Sequence, residues 1–389
     1  MSNLIMRLGI SDVENIIEKY FAMGVVDLVW KKLFEVKPGQ KLDVTSFMFD
    51  ALGNFYSENA VEINKLLDSD RLNQVSALIE SLQDDIELVA ASMHFYSSLS
   101  TINNMEVRVF IGANLIKVFM NCLVKSREHE ETLLDGISIF SLLTDSRQDN
   151  DEEPIAQLIK FLDQNHFFNM CHEVINGSYT PSLIILTVRC IGNCFSLDSS
   201  KGIDELMSSK PDLVIELLKL VHSTKSVALL KEVYWCLTNI AASEADSLKD
   251  LIIKDNELWG QLLSMVSDSL HPKLTENCFL CFCNMVIYAN QDCIISITND
   301  LVENFAVFIV DTMQKLQVQG SKCFFRGFVA LEALLETFGN CPKDKNRIYN
   351  GLSSSPDYLK FMDRARDDEF GTKAKESIRP IYEGYFADD

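Results

Sequence analysis

Asparagines recur in this chain at a spacing that few folds can use. Asn193, Asn239 and Asn284 stand 46 and 45 residues apart. Each lies in an apolar run: Arg189-Cys-Ile-Gly-Asn193-Cys-Phe-Ser196, Glu232-Val-Tyr-Trp235-Cys-Leu-Thr-Asn239-Ile-Ala-Ala-Ser243, and Cys281-Phe-Cys-Asn284-Met-Val. Upstream, Asp50-Ala-Leu-Gly-Asn54-Phe-Tyr-Ser57 repeats the form of the Asn193 segment, and degenerate copies near Ser98 and Leu143 divide the interval into steps of 44, 45 and 50. A further copy centres near Ala330, within Phe324 to Leu335, 46 residues after Asn284. Self-similarity at a fixed period of this size marks a repeat array, in which no unit buries its apolar face alone and stacking makes the core continuous.

The one long step holds the charged stretch from Asp145 to Pro154, which has no apolar face and reads as an acidic surface loop over 145–154. Prolines support the register, because proline fits the first helical turn and is costly in a helix interior. Pro181 and Pro272 each fall 12 residues before an asparagine of the series, and Pro154 and Pro211 precede the apolar runs Ile155 to Leu162 and Leu213 to Val221. All four are expected to open helices. With only 16 glycines and 8 prolines against a 47% hydrophobic content, the whole chain reads as helical.

The expected fold is therefore all-α, an armadillo/HEAT-type right-handed superhelical solenoid of about seven repeats plus end caps, each repeat holding two or three helices. It is expected to form a single repeat domain over 1–389. Residues 1–36 would be an N-terminal cap helix, opened by a capping box of Ser11 and Glu14 and running to about Val36. Repeats would occupy 37–340, and 341–389 would be a C-terminal cap containing a helix from Tyr358 to Phe386.

Composition narrows the function. The 56 acidic and 35 basic residues give a net charge of −21, which repels phosphate backbones and anionic lipid and attracts Lys/Arg-rich partners. No apolar run reaches the roughly 20 residues of a membrane span, since stretches such as Leu301 to Met313 are broken by Glu303 and Asp311. Met1 to Asp12 carries no basic region followed by an apolar core. A protein of the cytoplasm or nucleus is expected, with no direct nucleic-acid or membrane partner.

The eleven cysteines show no framework of small-domain disulfides and suggest a reducing compartment. Cys278-Phe-Leu-Cys281-Phe-Cys283 could supply thiolates to one metal, but without a second ligand pair it reads as small buried thiols, as do Cys190 and Cys194. The six histidines, at 94, 129, 166, 172, 222 and 271, share no motif. No metal and no cofactor are expected. There is no Gly-rich phosphate loop, no Gly-x-Ser-x-Gly elbow and no paired-carboxylate setting, so no catalytic residue, small-molecule substrate or enzymatic activity is expected.

Trp235-Cys-Leu-Thr-Asn239-Ile-Ala-Ala resembles the Trp-x-x-x-Asn-Ile-Ala signature of importin-alpha armadillo repeats, and Ser247 to Leu263 is similar to the helix pair that follows it in that family. The close match covers roughly 35 residues. The resemblance implies a concave groove into which Trp235 and Asn239 project, with Asn193, Asn284 and Asn54 at equivalent positions. Residues at i and i+4 share one helical face. Asparagine offers a donor and an acceptor to an extended backbone, while tryptophan makes a slot for the stem of Lys or Arg. The aromatic is kept only at Trp235, with Asp50, His94, Ile139, Arg189, Leu280 and Arg326 at the matching positions. The family's Arg/Lys-rich importin-beta-binding arm has no counterpart before Ser11. Two functions stay open: an importin-alpha-like adaptor holding an extended basic segment of a protein partner, and a non-transport armadillo scaffold or structural subunit of a larger complex. Either way, the asparagines have a second reading, as caps on carbonyls or on the preceding loop in each repeat.

Overall fold

The computed structural model describes residues 17–37, 42–56, 60–67, 69–100, 111, 115–145, 153–197, 202–268, 271–289, 292, 294–295, 302–321, 323–338 and 342–385. Every regular element among them is a helix. The expected capping box at Ser11 and Glu14, residues 146–152 of the acidic loop, and Phe386 lie outside the described residues.

In chain order the helices are α1 (Val25–Phe34), α2 (Leu42–Tyr56), α3 (Ala60–Leu67), α4 (Arg71–Ser81), α5 (Ile86–Ser100), α6 (Ile116–Lys125), α7 (Glu130–Leu143), α8 (Glu153–Gln164), α9 (Phe167–Asn176) and α10 (Pro181–Cys194). They continue as α11 (Ile203–Ser208), α12 (Pro211–Ser223), α13 (Val227–Ala242), α14 (Asp246–Ile253), α15 (Asn256–Asp268), α16 (Pro272–Tyr288), α17 (Val302–Val318), α18 (Arg326–Phe338), α19 (Pro342–Ser353), α20 (Pro356–Arg366) and α21 (Thr372–Tyr385). The full repeat is a triplet of a short, a medium and a long helix, seen in α3–α4–α5, α11–α12–α13 and α14–α15–α16. The periodic positions all fall on helices: Asn54 on α2, Ser98 on α5, Leu143 on α7, Asn193 on α10, Asn239 on α13, Asn284 on α16 and Ala330 on α18.

Local chemistry sets the helix boundaries. Pro181, Pro211 and Pro272 are the first residues of their helices and Pro154 the second, as expected for a residue whose missing N–H costs nothing in the first turn. Ser226 caps α13 by accepting from Leu229 N at 3.4 Å, and Asp255 accepts from Leu258 N at 2.9 Å at the start of α15. The N-terminal cap is not one helix through Val36. Residues 17–22 are helical, but Gly24 adopts φ 72°, a left-handed conformation that glycine takes without a Cβ clash, and the chain restarts as α1. At the C-terminal end Tyr358 lies inside α20 rather than opening a helix, because Ser355 caps at that point and Pro356 begins it.

The chain forms two compact units, one of residues 1–170 and 178–190, the other of 171–177 and 191–389. In the first, α2 packs on α5 and α5 on α7. Its core strings together aromatic rings: Trp30 meets Phe95 edge-on with centroids 5.9 Å apart, and Tyr96 meets Phe119 at 5.8 Å. The Trp30 indole N–H donates to the Tyr56 hydroxyl at 3.1 Å, so the burial of both polar atoms is compensated. In the second unit the long helices stack in sequence, α13 on α16, α16 on α18 and α18 on α21. Phe282 is fully buried there, with Phe308, Trp259 and Phe305 around it at centroid distances of 5.0, 5.5 and 5.7 Å.

Phe282 holds three rings at once, and its loss leaves a cavity that the helices flanking it cannot close. Phe282→Ala should lower the unfolding free energy by about 3–5 kcal/mol in chemical denaturation followed by circular dichroism. A change below about 1 kcal/mol would show that this cluster does not hold the second unit together.

Candidate functional site

The long helices of the second unit are joined by side chains that span one repeat. Asn239 Nδ2 donates to the Gly192 carbonyl at 3.0 Å, and Asn284 Nδ2 donates to the Thr238 carbonyl at the same distance. Asn277, two turns before Asn284, does likewise to Lys231 O at 2.9 Å. A helical carbonyl already bonded to an N–H keeps a second lone pair, and an amide side chain from the next helix is a suitable donor to it. The repeat period of the sequence thus reappears as hydrogen bonds spanning 46 or 47 residues.

Trp235 and Asn239 act as a pair on this joint. They lie one turn apart on the half-exposed stripe of α13, with Lys231 and Thr238. The Trp235 ring lies against Gly192: a Cβ there would sit 2.5 Å from Trp235 Cζ3. Asn239 bonds the carbonyl of the same glycine. One Nδ2 hydrogen is spent on that bond, leaving a second donor and Oδ1 on the half-exposed face.

The other predicted positions differ in setting. Asn193 is 2% exposed and Asn284 6%, so both sit within the helix stack. Asn284 is engaged at both ends, since Oδ1 accepts from Arg326 Nε at 3.1 Å. Arg326, which takes the tryptophan position of its repeat, also donates to the Tyr288 hydroxyl at 3.1 Å and lies over that ring at 5.8 Å. Asn54, in the first unit, is exposed.

Asn54 borders a groove of about 900 Å³ in the first unit. Ala51 and Phe55 of α2 and Ala90 and Ala91 of α5 supply its apolar lining, while Asp50, Glu87, Glu131 and Asp135 supply carboxylates. His94 stands among them with Nδ1 3.3 Å from both carboxylate oxygens of Asp135. The bond to Asp135 pushes the histidine's pKa up, against the opposing effect of burial, and the charges of Asp50 and Glu131 add to the rise. Burial pushes the Asp50 carboxyl up in turn.

Among solved structures the chain is similar to computationally designed armadillo repeat proteins for modular peptide recognition, with a TM-score of 0.52 and 16% identity over 67% of this chain and 99% of that one. A second designed armadillo repeat protein gives 0.51 and 16% over 67% and 99%. An engineered protein aligns with 91% of this chain and 98% of its own, at a TM-score of 0.52 and 14% identity. The fold is the armadillo repeat. No protein-family model matches the sequence, and no curated protein matches it.

Within that armadillo frame, sequence reasoning missed Asn277, whose signal was its place seven residues before Asn284, two turns along one helical face. It also passed over the groove at Asp50, where aspartate and histidine were read only as lost tryptophans. Cys278, Cys281 and Cys283 are all fully buried in α16, where burial pushes the Cys281 thiol up to about 12. Among the described residues no group of three or more His, Cys, Asp or Glu side chains is placed to hold a metal ion.

The Gly192 contact is open to a direct test. Gly192→Ala drives a methyl into the Trp235 ring and should cost about 1–3 kcal/mol, with Trp235 emission shifting to the red as the indole is displaced. Adding Trp235→Ala should recover part of that loss in a double-mutant cycle, because the clash then has no partner. Additive losses would mean that the ring does not rest on Gly192.

Proposed function

We propose that this chain is a protein-binding armadillo solenoid that holds an extended, Lys/Arg-rich segment of another protein, in the manner of an importin-alpha-like adaptor, and performs no catalysis. The observation that carries the reading is the Trp235–Asn239 pair. Both side chains are half-exposed on one stripe of a long helix, and Asn239 is anchored through Nδ2, which leaves Oδ1 unspent by that bond. An anchored amide loses little further freedom when it meets a ligand backbone, and the tryptophan face attracts a cation. The net charge of −21 favours a basic partner. Asn54 serves as a backbone contact in the first unit, whereas Asn193 and Asn284 support the groove from within the stack. A place in the cytoplasm or nucleus belongs to the same proposal. No helix among the described residues is long and apolar enough to cross a membrane.

One observation favours the second reading, a scaffold subunit of a larger complex. Arg326 closes Asn284 off, so the ladder after Asn239 is committed to internal bonds.

Fluorescence anisotropy of the full chain with a labelled Lys/Arg-rich peptide separates the two. An adaptor should bind with an affinity that falls as salt rises, since exposed charges are screened over about 10 Å at 0.1 M. Asn239→Ala should weaken binding by about two- to tenfold, the loss of one hydrogen bond of about 0.5–1.5 kcal/mol. Trp235→Ala should weaken it further while lowering stability by less than the roughly 3–5 kcal/mol expected of a fully buried tryptophan. Binding that ignores salt and both substitutions, or that is found only with a folded apolar partner, would sink the adaptor reading and leave the scaffold.

A further inference from the structure

Three long helices of the first unit, α2, α5 and α7, leave an open groove whose walls and floor differ in chemistry. The floor is apolar, made by Ala51, Phe55, Ala90 and Ala91, and Phe47 stands at its edge with 70% of its surface exposed. The walls carry carboxylates from all three helices: Asp50 from α2, Glu87 from α5, and Glu131 and Asp135 from α7. Asn54 lies exposed on the same face, one turn after Asp50, the same offset that relates Asn239 to Trp235. The groove thus offers an exposed ring for an aliphatic stem and four carboxylates for a cation. Among the described residues the only cationisable side chain lining it is His94, which rests against Asp135 at 3.3 Å.

We propose that this groove is a second recognition site for the basic segment, taking one lysine or arginine side chain between Asp50 and Asp135, and that His94 is a built-in competitor that holds the place while protonated. The proposal rests on the adaptor reading above and adds a site and its regulation. Four carboxylates facing an apolar floor complement a side chain with an apolar stem and a charged head, which commits the groove to Lys or Arg. A protonated His94 cancels one of those charges and occupies the Asp135 oxygens. Neutral His94 leaves Asp50, Glu87, Glu131 and Asp135 to the ligand. Asp135, Asp50 and Glu131 act on His94, and Glu87 lines the same groove.

The direction with pH follows. The contact with Asp135 stabilises protonated His94, so its own contribution is complete below the ordinary histidine range and is lost as pH rises through its raised pKa. Ligand binding gains over the same interval, because the competitor loses its charge there.

The test is anisotropy of the full chain with a fluorescein-labelled nonapeptide of alternating lysine and serine, at fixed ionic strength, between pH 6 and pH 8.5. The wild-type protein should bind about fivefold more tightly at the upper end, the effect of one unit charge close to the ligand at a partly solvated site. His94→Gln should bind at pH 6 as tightly as the wild type does at pH 8.5 and show a flat profile. Asp135→Asn, which needs no rearrangement of His94 to be interpreted, should weaken binding at pH 8.5 by about tenfold. Asp246→Asn, an exposed carboxylate of the second unit, should change little. A His94→Gln profile that still rises like the wild type's overturns the competitor, and Asp135→Asn binding at wild-type strength overturns the site. If binding persists and is lost only with Trp235→Ala or Asn239→Ala, the groove fails while the adaptor reading stands. A wild-type protein that ignores the peptide at every pH ends both.

Discussion

A helix in the middle of a stack has little left to offer its neighbour by way of backbone chemistry. Its N–H groups are spent on the carbonyls four residues back, and only the second lone pair of each carbonyl remains. A neighbouring helix that is to be fixed in register through the backbone must therefore bring donors. Asparagine brings two on a short stem, with few rotamers to freeze, and it carries no charge that burial would penalise. Aspartate at the same place would set a carboxylate against a carbonyl. Asn239, Asn277 and Asn284 each reach one repeat back to a carbonyl in this way, and the pairings admit no slip. A shift of one residue would turn each amide away from its acceptor. Gly192 completes the joint, because the absence of a side chain lets the next helix come close enough for Trp235 to lie on its backbone.

That constraint governs what the same residues can do for a ligand. An amide has two ends, and the structural bond uses only part of one. At Asn239 the remaining end lies on a half-exposed stripe beside Trp235. At Asn284 the acceptor end is taken by Arg326, which also stacks on Tyr288. Two asparagines with the same spacing, on equivalent helices and with the same structural bond, therefore differ in availability for a reason that lies one repeat further on. Whether a groove asparagine can serve a ligand is decided by the residue occupying the tryptophan position of the next repeat, and that residue is Arg326 in one case and Leu280 in the other.

This explains which parts of the molecule could be read from the sequence. The repeat was legible because the side chains that fix its register are the same type each time and lie in similar apolar runs. The helix starts were legible because Pro181, Pro211 and Pro272 have few other places to go. Gly24 was not. Breaking a helix through a left-handed glycine depends on the chain on both sides finding better packing apart than together, which no local pattern reports. The groove of the first unit was hidden for a different reason. Asp50, His94 and Asp135 are separated by about forty residues at each step, and each looks unremarkable in its own helix. Only the packing of α2 on α5 and of α5 on α7 brings them to one groove, whereas in the sequence Asp50 and His94 stand simply at tryptophan positions of the repeat.

The net charge raises the same issue of place. A total of −21 gives the sign of a partner but not where it binds. In the second unit basic side chains lie close to carboxylates: Lys231 lies 3.3 Å from Glu232, and Lys273 lies 2.8 Å from Glu276. Pairs of this kind nearly cancel at a few ångströms, leaving little field to steer a ligand. Among the described residues the first unit's groove has no lysine or arginine in its lining, so its four carboxylates add rather than cancel, and the one cationisable side chain among those described residues, His94, is one that titrates. Recognition by shape and hydrogen bonding at Trp235 and Asn239, and recognition by charge at Asp50 and Asp135, are thus carried by different stretches of one repeat register.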